Sequence, residues 1–506
     1  MIVDLNELKA DPFKSQDFDV CICGAGVAGI TLARKLPRHL KVLLLEGGGG
    51  DYSLESQDMY QGRNVGHEYF DLEITRLRFF GGTSNHWTGM CRYMDSYDFD
   101  PMTYVPHSIG WPISKSDLDP YLEETVEILD LPELTPRFSG GKLWDESFLK
   151  LNDFERIDFW WSPPTRFSEK YKSELEDSDN VFCYLNSNVV DIILDEGNGS
   201  SVSTISVKNY VGLECAVKAR TYVLAAGGIE NARMLLNSNS QLHNGVGNGF
   251  DNVGRYFSEH LHFKVGEFFL EDSYVGSIKD LPTELSRTFL SPKLDFINRN
   301  KCLNFSTRVV PSFPDDMDDT FKQKMRQVLC FSESIERAVS DVKGSPLLCS
   351  DGFLKVTTDQ APNPLSRITL NDQLDSFGLN RVDLNWKISD VDVHTLRVAA
   401  LETAKMFAEH DIGRVRINEW LLSKGGEELL PGFDDLEEVG GHHHMCTTRM
   451  ASSAKDGVVD KNQKVFGVDN LYIAGCSVFS SGGHANPTFT ITQMTLRLSD
   501  YLGEIL

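Results

Sequence analysis

A chain of 506 residues is longer than one hydrophobic core usually organises, so at least two domains are expected. Its 49 Lys and Arg stand against 74 Asp and Glu, a formal charge of -25, which argues against nucleic acid or an anionic membrane surface as partner and fits a solvated acidic exterior. No apolar run approaches the ~20 residues that span a bilayer, residues 1–18 read as neither secretory signal nor anchor, and ten scattered cysteines without CxxC spacing suit a reducing compartment; a cytoplasmic location follows as the expectation.

The first informative stretch runs from Asp19 to Glu46. Val20 to Cys23 read as a buried strand that enters Gly24-Ala25-Gly26-Val27-Ala28-Gly29, an apolar helical pattern follows, and Val42 to Leu45 form a second strand ending on Glu46. Strand, tight turn, helix and strand in this order predict a parallel pair with a crossover helix. Gly24 suits the turn, Gly26 lets a pyrophosphate approach the backbone, and Gly29 lets helix and strand pack closely. The helix N-terminus offers N–H groups to phosphates, and Glu46 lies near the ~20-residue offset at which a carboxylate takes a ribose hydroxyl. A glycine-rich turn without a ligand is the plainer reading of the glycines alone.

Phe79 to Met94 reads FFGGTSNHWTGMCRYM, an irregular loop whose Gly81 and Gly82 suit close backbone approach, with His86-Trp87 as a large amphipathic pair. Ser116 or Asp117 is expected to cap a helix running to about Leu129. Phe154 to Phe167 is dense in aromatics, which suits core packing more than a sugar pocket. Val181 to Leu185 and Val189 to Leu194 read as strands, Ser203 to Val207 with Leu213 to Val217 as a hairpin-like pair, and Thr221 to Leu224 as a buried strand ending at Ala225-Ala226-Gly227-Gly228 before a helix to about Leu236.

In Asn252 to His262, His260 and His262 alternate as on a strand, yet nothing nearby completes a metal ligand set, so structural or pocket-lining roles are expected. Strand-like runs at Phe263 to Phe268, Cys302 to Val310, Phe353 to Thr358, Ser366 to Leu370 and Val382 to Ile388 suggest a sheet. Helical patterns at Phe321 to Glu333 and Asp390 to Glu409 would cover it, with acidic loops at Pro314 to Asp319 and Gly425 to Asp435.

The last stretch holds Gly441-His442-His443-His444-Met445-Cys446-Thr447. If the segment is extended, His442 and His444 point away from His443, and three adjacent side chains cannot all converge on a metal. Gly467 to Gly475 reads as a buried strand ending in small residues, followed by Cys476 and a loop to His484. Asn486 is a good N-cap with Pro487 at the first turn of a helix ending near Tyr501.

The first glycine motif, the GGTSNHWTG loop and the block from Gly441 resemble the glucose-methanol-choline (GMC) family of FAD-dependent oxidoreductases, nearest to its pyranose oxidase and sugar or polyol dehydrogenase branch. The resemblance covers both ends of the chain, while the middle matches only loosely. It implies an α/β fold (α+β as a whole). A Rossmann-like FAD-binding domain would be assembled from 1–110, 180–262 and 438–506. A substrate domain with a mostly antiparallel sheet covered by helices would come from 111–179 and 263–437.

Contact with FAD is thereby implied for Gly24, Gly26, Val27, Ala28, Gly29, Glu46 and Gly47, and for Gly81, Gly82, Thr83, Asn85, His86, Trp87 and Thr88. The later segments add Val189 or Val190, whose backbone would meet adenine, then Ala226, Gly227, Gly475, Cys476, Asn486, Pro487 and Thr488. In pyranose oxidases the histidine of a similar loop carries FAD covalently; His86 occupies that place beside Asn85 where that group has Thr, and the alternative is a histidine that packs near the flavin. The family's base is a histidine three residues before a Gly-Thr pair. Here Cys446-Thr447 stands at that point, so His443 is the match and Cys446 the departure. Asn486 would share the substrate carbon with His443, His484 being the weaker candidate.

Alcohol oxidation needs a proton acceptor and a hydride acceptor at one carbon, which an imidazole and a flavin supply without a metal. The expected reaction is oxidation of an alcohol on a sugar, glycoside, aminosugar or cyclitol, with oxygen or another carrier accepting the electrons. The alternatives are a simple alcohol or polyol dehydrogenase, or a lyase-type reaction on the same fold. A plain NAD-binding dehydrogenase or a non-catalytic nucleotide-binding protein would use the first motif only. Flavin bleaching by an alcohol, and a yellow chromophore, separate these readings.

Overall fold

The computed structural model describes residues 1–135, 153–197, 199–271, 288–311, 338, 341–342, 350–423 and 440–506. Strands β1 (Ile2–Asp4), β2 (Asp17–Cys23), β3 (Val42–Leu45), β4 (Val181–Leu185), β5 (Asn188–Leu194), β6 (Val202–Lys208), β7 (Glu214–Leu224) and β8 (Leu471–Ile473) form one sheet in the order β1-β4-β3-β2-β7-β6-β5, with β8 also on β7. Pairing is parallel from β1 across to β7 and β8, and antiparallel from β7 through β6 to β5. The C-terminal half of β2 and all of β3 are buried, as strands covered on both faces must be, which is why they read as unbroken apolar runs.

Helix α1 (Val27–Lys35) crosses from β2 to β3 on one side, while β7 flanks β2 on the other. The glycine turn therefore sits where the strand order changes direction, the place at which open α/β sheets leave a crevice. A methyl group at Gly29 would fall onto the Gly24 carbonyl oxygen, so the helix seats itself on the turn only because position 29 lacks a Cβ. Helix α2 (Gly227–Asn237) follows β7.

The two strands expected at Leu213 to Val217 and Thr221 to Leu224 are one. Residues 214–217 pair with β6 and residues 218–224 with β2, so β7 changes partner in mid-course without a turn. The helix expected from Ser116 or Asp117 is also different. A capping box of Ser114 and Asp117 opens a 3-10 turn at Lys115–Asp117, a second spans Asp119–Tyr121, and the α-helix covers only Leu122–Ile128. Pro120, with no N–H to give, confines the segment before it to short turns.

A second sheet of six antiparallel strands runs in the order Gly413–Ile417, Leu261–Leu270, Gly352–Thr358, Phe305–Pro311, Thr288–Pro292, Phe154–Asp158. Arg367–Leu374 and Asn380–Asn385, read from sequence as members of that sheet, instead pair with each other and with Gly62–Asn64 in a separate three-stranded sheet. Helix α3 (Asp390–Glu409) covers the six-stranded sheet with Val393, Leu396, Ala399, Ala400, Met406 and Phe407. It opens on a capping box in which the Ser389 N–H donates to the Asp392 carboxylate at 2.6 Å. Phe321 to Glu333 and the loops at Pro314 to Asp319 and Gly425 to Asp435 lie outside the described residues.

Phe154, Phe159, Trp160 and Phe167 are buried, so that aromatic stretch is core. Helix α4 (Pro487–Ile505) packs on α1, which joins the two ends of the chain against one sheet. Among the described residues no helix is long and apolar enough to cross a membrane.

Candidate active site

A cavity of about 520 Å³ opens at the glycine turn and is lined by residues from both ends of the chain. Gly24, Gly26, Val27 and Ala28 come from the turn and α1, and Glu46 and Gly47 from the end of β3. Gly82, Thr83, His86, Trp87 and Thr88 come from the loop, Val189 from β5, and Ala226 and Gly227 from the start of α2. Gly475, Cys476, Pro487 and Thr488 come from the C-terminal segment together with His443 and Asn486.

The remaining candidates stand elsewhere for identifiable reasons. Gly29 packs helix against turn, and Gly81, at φ 90°, would drive a Cβ into Ser168. The Asn85 side chain is turned inward, its Nδ2 donating to the Phe80 carbonyl at 2.9 Å and its Oδ1 accepting from Ser168 Oγ at 2.5 Å. Val190 lines a shallow groove together with Asp191 rather than the cavity, at the irregularity where the pairing of β5 with β6 skips from Asp191 to Val189. His484 is fully buried 4.0 Å from Asp95 and does not line the cavity.

The lining fits a dinucleotide. A Cβ added at Gly26, Gly227 or Gly475 would meet no atom within 4 Å, so the backbone there is bare toward open space, and Gly26 is the N-cap of α1 without a side chain of its own to close the helix end. Glu46 is held in place by accepting the N–H of Ala25 on Oε2 and of Gly48 on Oε1, each at 2.9 Å. Fully buried Asn231 ties two lining loops together, accepting the Ala226 N–H at 2.9 Å and donating to the Ala474 carbonyl and to Ser477 Oγ.

At the other end stand the histidines. The segment is not extended, because His442 has φ 58° and Cys446 φ 70°, and His442, His443 and His444 all reach the cavity wall. The His443 N–H is received by both oxygens of the buried Glu259 carboxylate, at 2.7 and 2.9 Å. Glu259 also accepts the Tyr69 hydroxyl at 2.5 Å and the His260 N–H at 2.9 Å, and Tyr69 Oη lies 3.0 Å from His444 Nε2. His443 Nδ1 sits 2.9 Å from His260 Nδ1.

Burial, followed by the imidazoles of His260, His262, His442 and His444, holds the His443 pKa well below the ordinary histidine value, so the ring is neutral near pH 7. Burial raises Glu259 to about 7 against the pull of its hydrogen bonds. Asn486 stands at the N-cap of α4, but its side chain does not cap the helix; Nδ2 donates to the Met90 carbonyl at 2.9 Å.

Several lining or supporting groups escaped the sequence reading. Arg76 pairs with Glu230 at 2.8 Å, Glu230 with Arg233 at 3.2 Å and Arg233 with Asp375 at 2.5 Å, a buried chain of charges along the cavity. Arg78 donates to Asn188 Oδ1 and Tyr210 Oη, both at 2.8 Å. The only signal for the two arginines was their i, i+2 spacing ahead of Phe79, which by itself is ordinary strand or loop chemistry. Glu259 stood beside His260 without any local pattern to mark it.

Residues 362–495 match the family model of the GMC oxidoreductases. The chain is 22% identical over 468 residues to the 2-methyl-1,2-propanediol dehydrogenase of Mycolicibacterium austroafricanum, covering 83% of this chain and 80% of that one. It is 21% identical over 566 residues to the fructose dehydrogenase large subunit of Gluconobacter japonicus, covering 95% and 97%. In fold it matches pyridoxine 4-oxidase from Mesorbium loti with a TM-score of 0.57 at 18% identity over 96% of this chain and 99% of that one. A formate oxidase matches with a TM-score of 0.53 at 16% identity over 98% and 99%.

Proposed function

We propose that the chain is a GMC oxidoreductase, an FAD-dependent enzyme acting on CH–OH groups, and that it oxidises a hydroxyl of a sugar, glycoside, aminosugar or cyclitol with His443 as base and Asn486 as the group that orients the substrate oxygen. The observation that carries this reading is that His443 and Asn486 line the same cavity as the glycine turn, although they stand 43 positions apart in the chain.

The chemistry of each residue follows from its surroundings. A neutral His443 has a lone pair ready for the hydroxyl proton, whereas an imidazolium would not. Its main chain is clamped by Glu259, so the ring approaches the substrate from a fixed base rather than from a mobile loop. The amide of Asn486 is anchored to Met90 and supplies a neutral partner for the substrate oxygen as its charge develops. Trp87 and Thr88, which line the same cavity, offer an apolar face and a hydroxyl to a ring substrate. Bound FAD would supply the acceptor, at flavin N5, for the hydride that leaves the same carbon.

His443→Ala is expected to purify as yellow protein whose flavin is bleached anaerobically by substrate about 10²- to 10⁴-fold more slowly. Bleaching at the wild-type rate would overturn the assignment. The substrate class is read by the same signal, with a panel of sugars and cyclitols set against short diols. The similarity to a diol dehydrogenase favours a second reading, a simple polyol substrate, and faster bleaching by the diols would establish it.

A further inference from the structure

An imidazole can accept a proton on Nε2 only if its own proton sits on Nδ1. In His443, Nδ1 lies 2.9 Å from Nδ1 of His260, so one ring must donate to the other. The remaining nitrogen of His260 decides which. His260 Nε2 lies 3.4 Å from the Gly482 carbonyl, an acceptor only, so the His260 proton belongs on Nε2. His260 is fully buried, and burial, the neighbouring His262 and His484 set its pKa down at about 3, so it carries a single proton at neutral pH. Its Nδ1 is then a bare acceptor. The proton between the rings must come from His443 Nδ1, which leaves His443 Nε2 with a free lone pair.

We propose that His260 is a positioning residue that selects the proton-accepting tautomer of His443, through the chain His443 Nδ1–H to His260 Nδ1 and His260 Nε2–H to Gly482 O. The inference rests on the reading of His443 as base. When the substrate hydroxyl gives up its proton, that proton ends on His443 Nε2; the Nδ1 proton stays where it is and keeps donating to His260, and no second transfer is needed. His260 does not line the cavity, so it acts through His443. Glu259 fixes the distance between the rings, since one carboxylate receives the main-chain N–H of both histidines. Gly441 leaves room for the contact, because a Cβ there would press on the Nδ1 edge of the His443 ring. The titratable groups facing this pair are Glu259 and Tyr69 below, His262 on the adjoining strand, His442 and His444 on the same segment, His484, and Asp359, whose Oδ1 accepts the Gly482 N–H at 3.2 Å.

The test compares His260→Leu, which removes the acceptor, with His260→Asn, whose Oδ1 restores one near the position of Nδ1. Each is measured per bound flavin for kcat and KM, and separately for the rate at which diethyl pyrocarbonate modifies His443 at pH 7, followed by peptide mass spectrometry. The Leu variant is expected to lose kcat about 10- to 100-fold with KM changed less than about twofold, and to be modified at His443 several-fold more slowly. The Asn variant is expected to recover most of both. Equal impairment of Leu and Asn variants, or a Leu variant that behaves as wild type in both measurements, would overturn the proposal. Because modification of His443 is read without turnover, it reports on the tautomer even if His443→Ala were to show that the base lies elsewhere.

Discussion

Cys446 occupies a backbone position that glycine usually fills. Its φ of 70° lies in the left-handed region, where a Cβ costs about 1–2 kcal/mol, and the family resemblance places glycine at this point. The turn is held from several sides, with the Thr447 hydroxyl donating to the Gly228 carbonyl and the Cys446 N–H to the Cys476 carbonyl at 3.1 Å, so the strained conformation is imposed by its surroundings. Cys446→Gly is expected to leave stability within about 1 kcal/mol of wild type, relief of strain offsetting the lost buried side chain. Cys446→Val, β-branched in the same conformation, is expected to lose at least about 2 kcal/mol. Urea unfolding of the three proteins measures the difference, and a Val variant as stable as wild type would remove strain from the account.

At the scale of the strand-turn-helix element, Gly26 and Gly29 stand in the two kinds of surroundings that their places in the motif predict. Gly29 is enclosed, its missing Cβ filled by the Gly24 carbonyl, whereas Gly26 opens onto the cavity with no atom within 4 Å. Gly29→Ala should therefore damage the fold itself, lowering the melting temperature of the flavin-free protein. Gly26→Ala should fold as wild type yet weaken flavin binding at least about tenfold, about 1.4 kcal/mol. Melting curves and flavin titration on the two variants check both halves; normal flavin affinity in Gly26→Ala would mean that no cofactor passes over that turn.

The whole molecule concentrates histidines where the nucleotide sheet meets the six-stranded sheet, and this shapes its response to pH. Burial lowers His260 and His262 to about 3 and His484 to about 4, and takes His443 and His444 well below the ordinary value. Folded, these rings stay neutral; unfolded, they take up protons below about 6.5, so the unfolded state binds more protons and stability falls as pH drops from about 6.5 toward about 4. Glu259 and Asp98, both raised to about 7, and Asp359, raised well above its ordinary value, act in the opposite sense, and the part they contribute is lost as pH rises toward 7. Among the described residues these five histidines outnumber the raised carboxyls, Glu155 included, so the melting temperature is expected to fall between pH 6.5 and pH 4.5. His484→Leu should make that decline shallower by up to about 1.4 kcal/mol per pH unit. A melting temperature flat or rising toward acid would contradict this balance of charges.

The nucleotide motif was legible in the sequence because it is local. Val20 to Glu46 carries strand, turn, helix and strand within one short window, and Gly29 answers to Gly24 five residues before it. The same holds for α3, whose span from 390 to 409 was marked by a helical pattern of its own. The proposed roles of His443 and Asn486 came only from family resemblance, since nothing in their own neighbourhoods tells a base from a packed histidine. What the tertiary structure alone decided was long-range: that β7 serves two sets of partners, that Arg367–Leu374 leaves the larger sheet, and that Glu259 and His260 stand beneath a residue more than 180 positions away. A carboxylate's partners are set by which backbone N–H groups the fold carries past it, and an imidazole's tautomer by the atom at its far nitrogen. Neither is written in the order of residues along the chain.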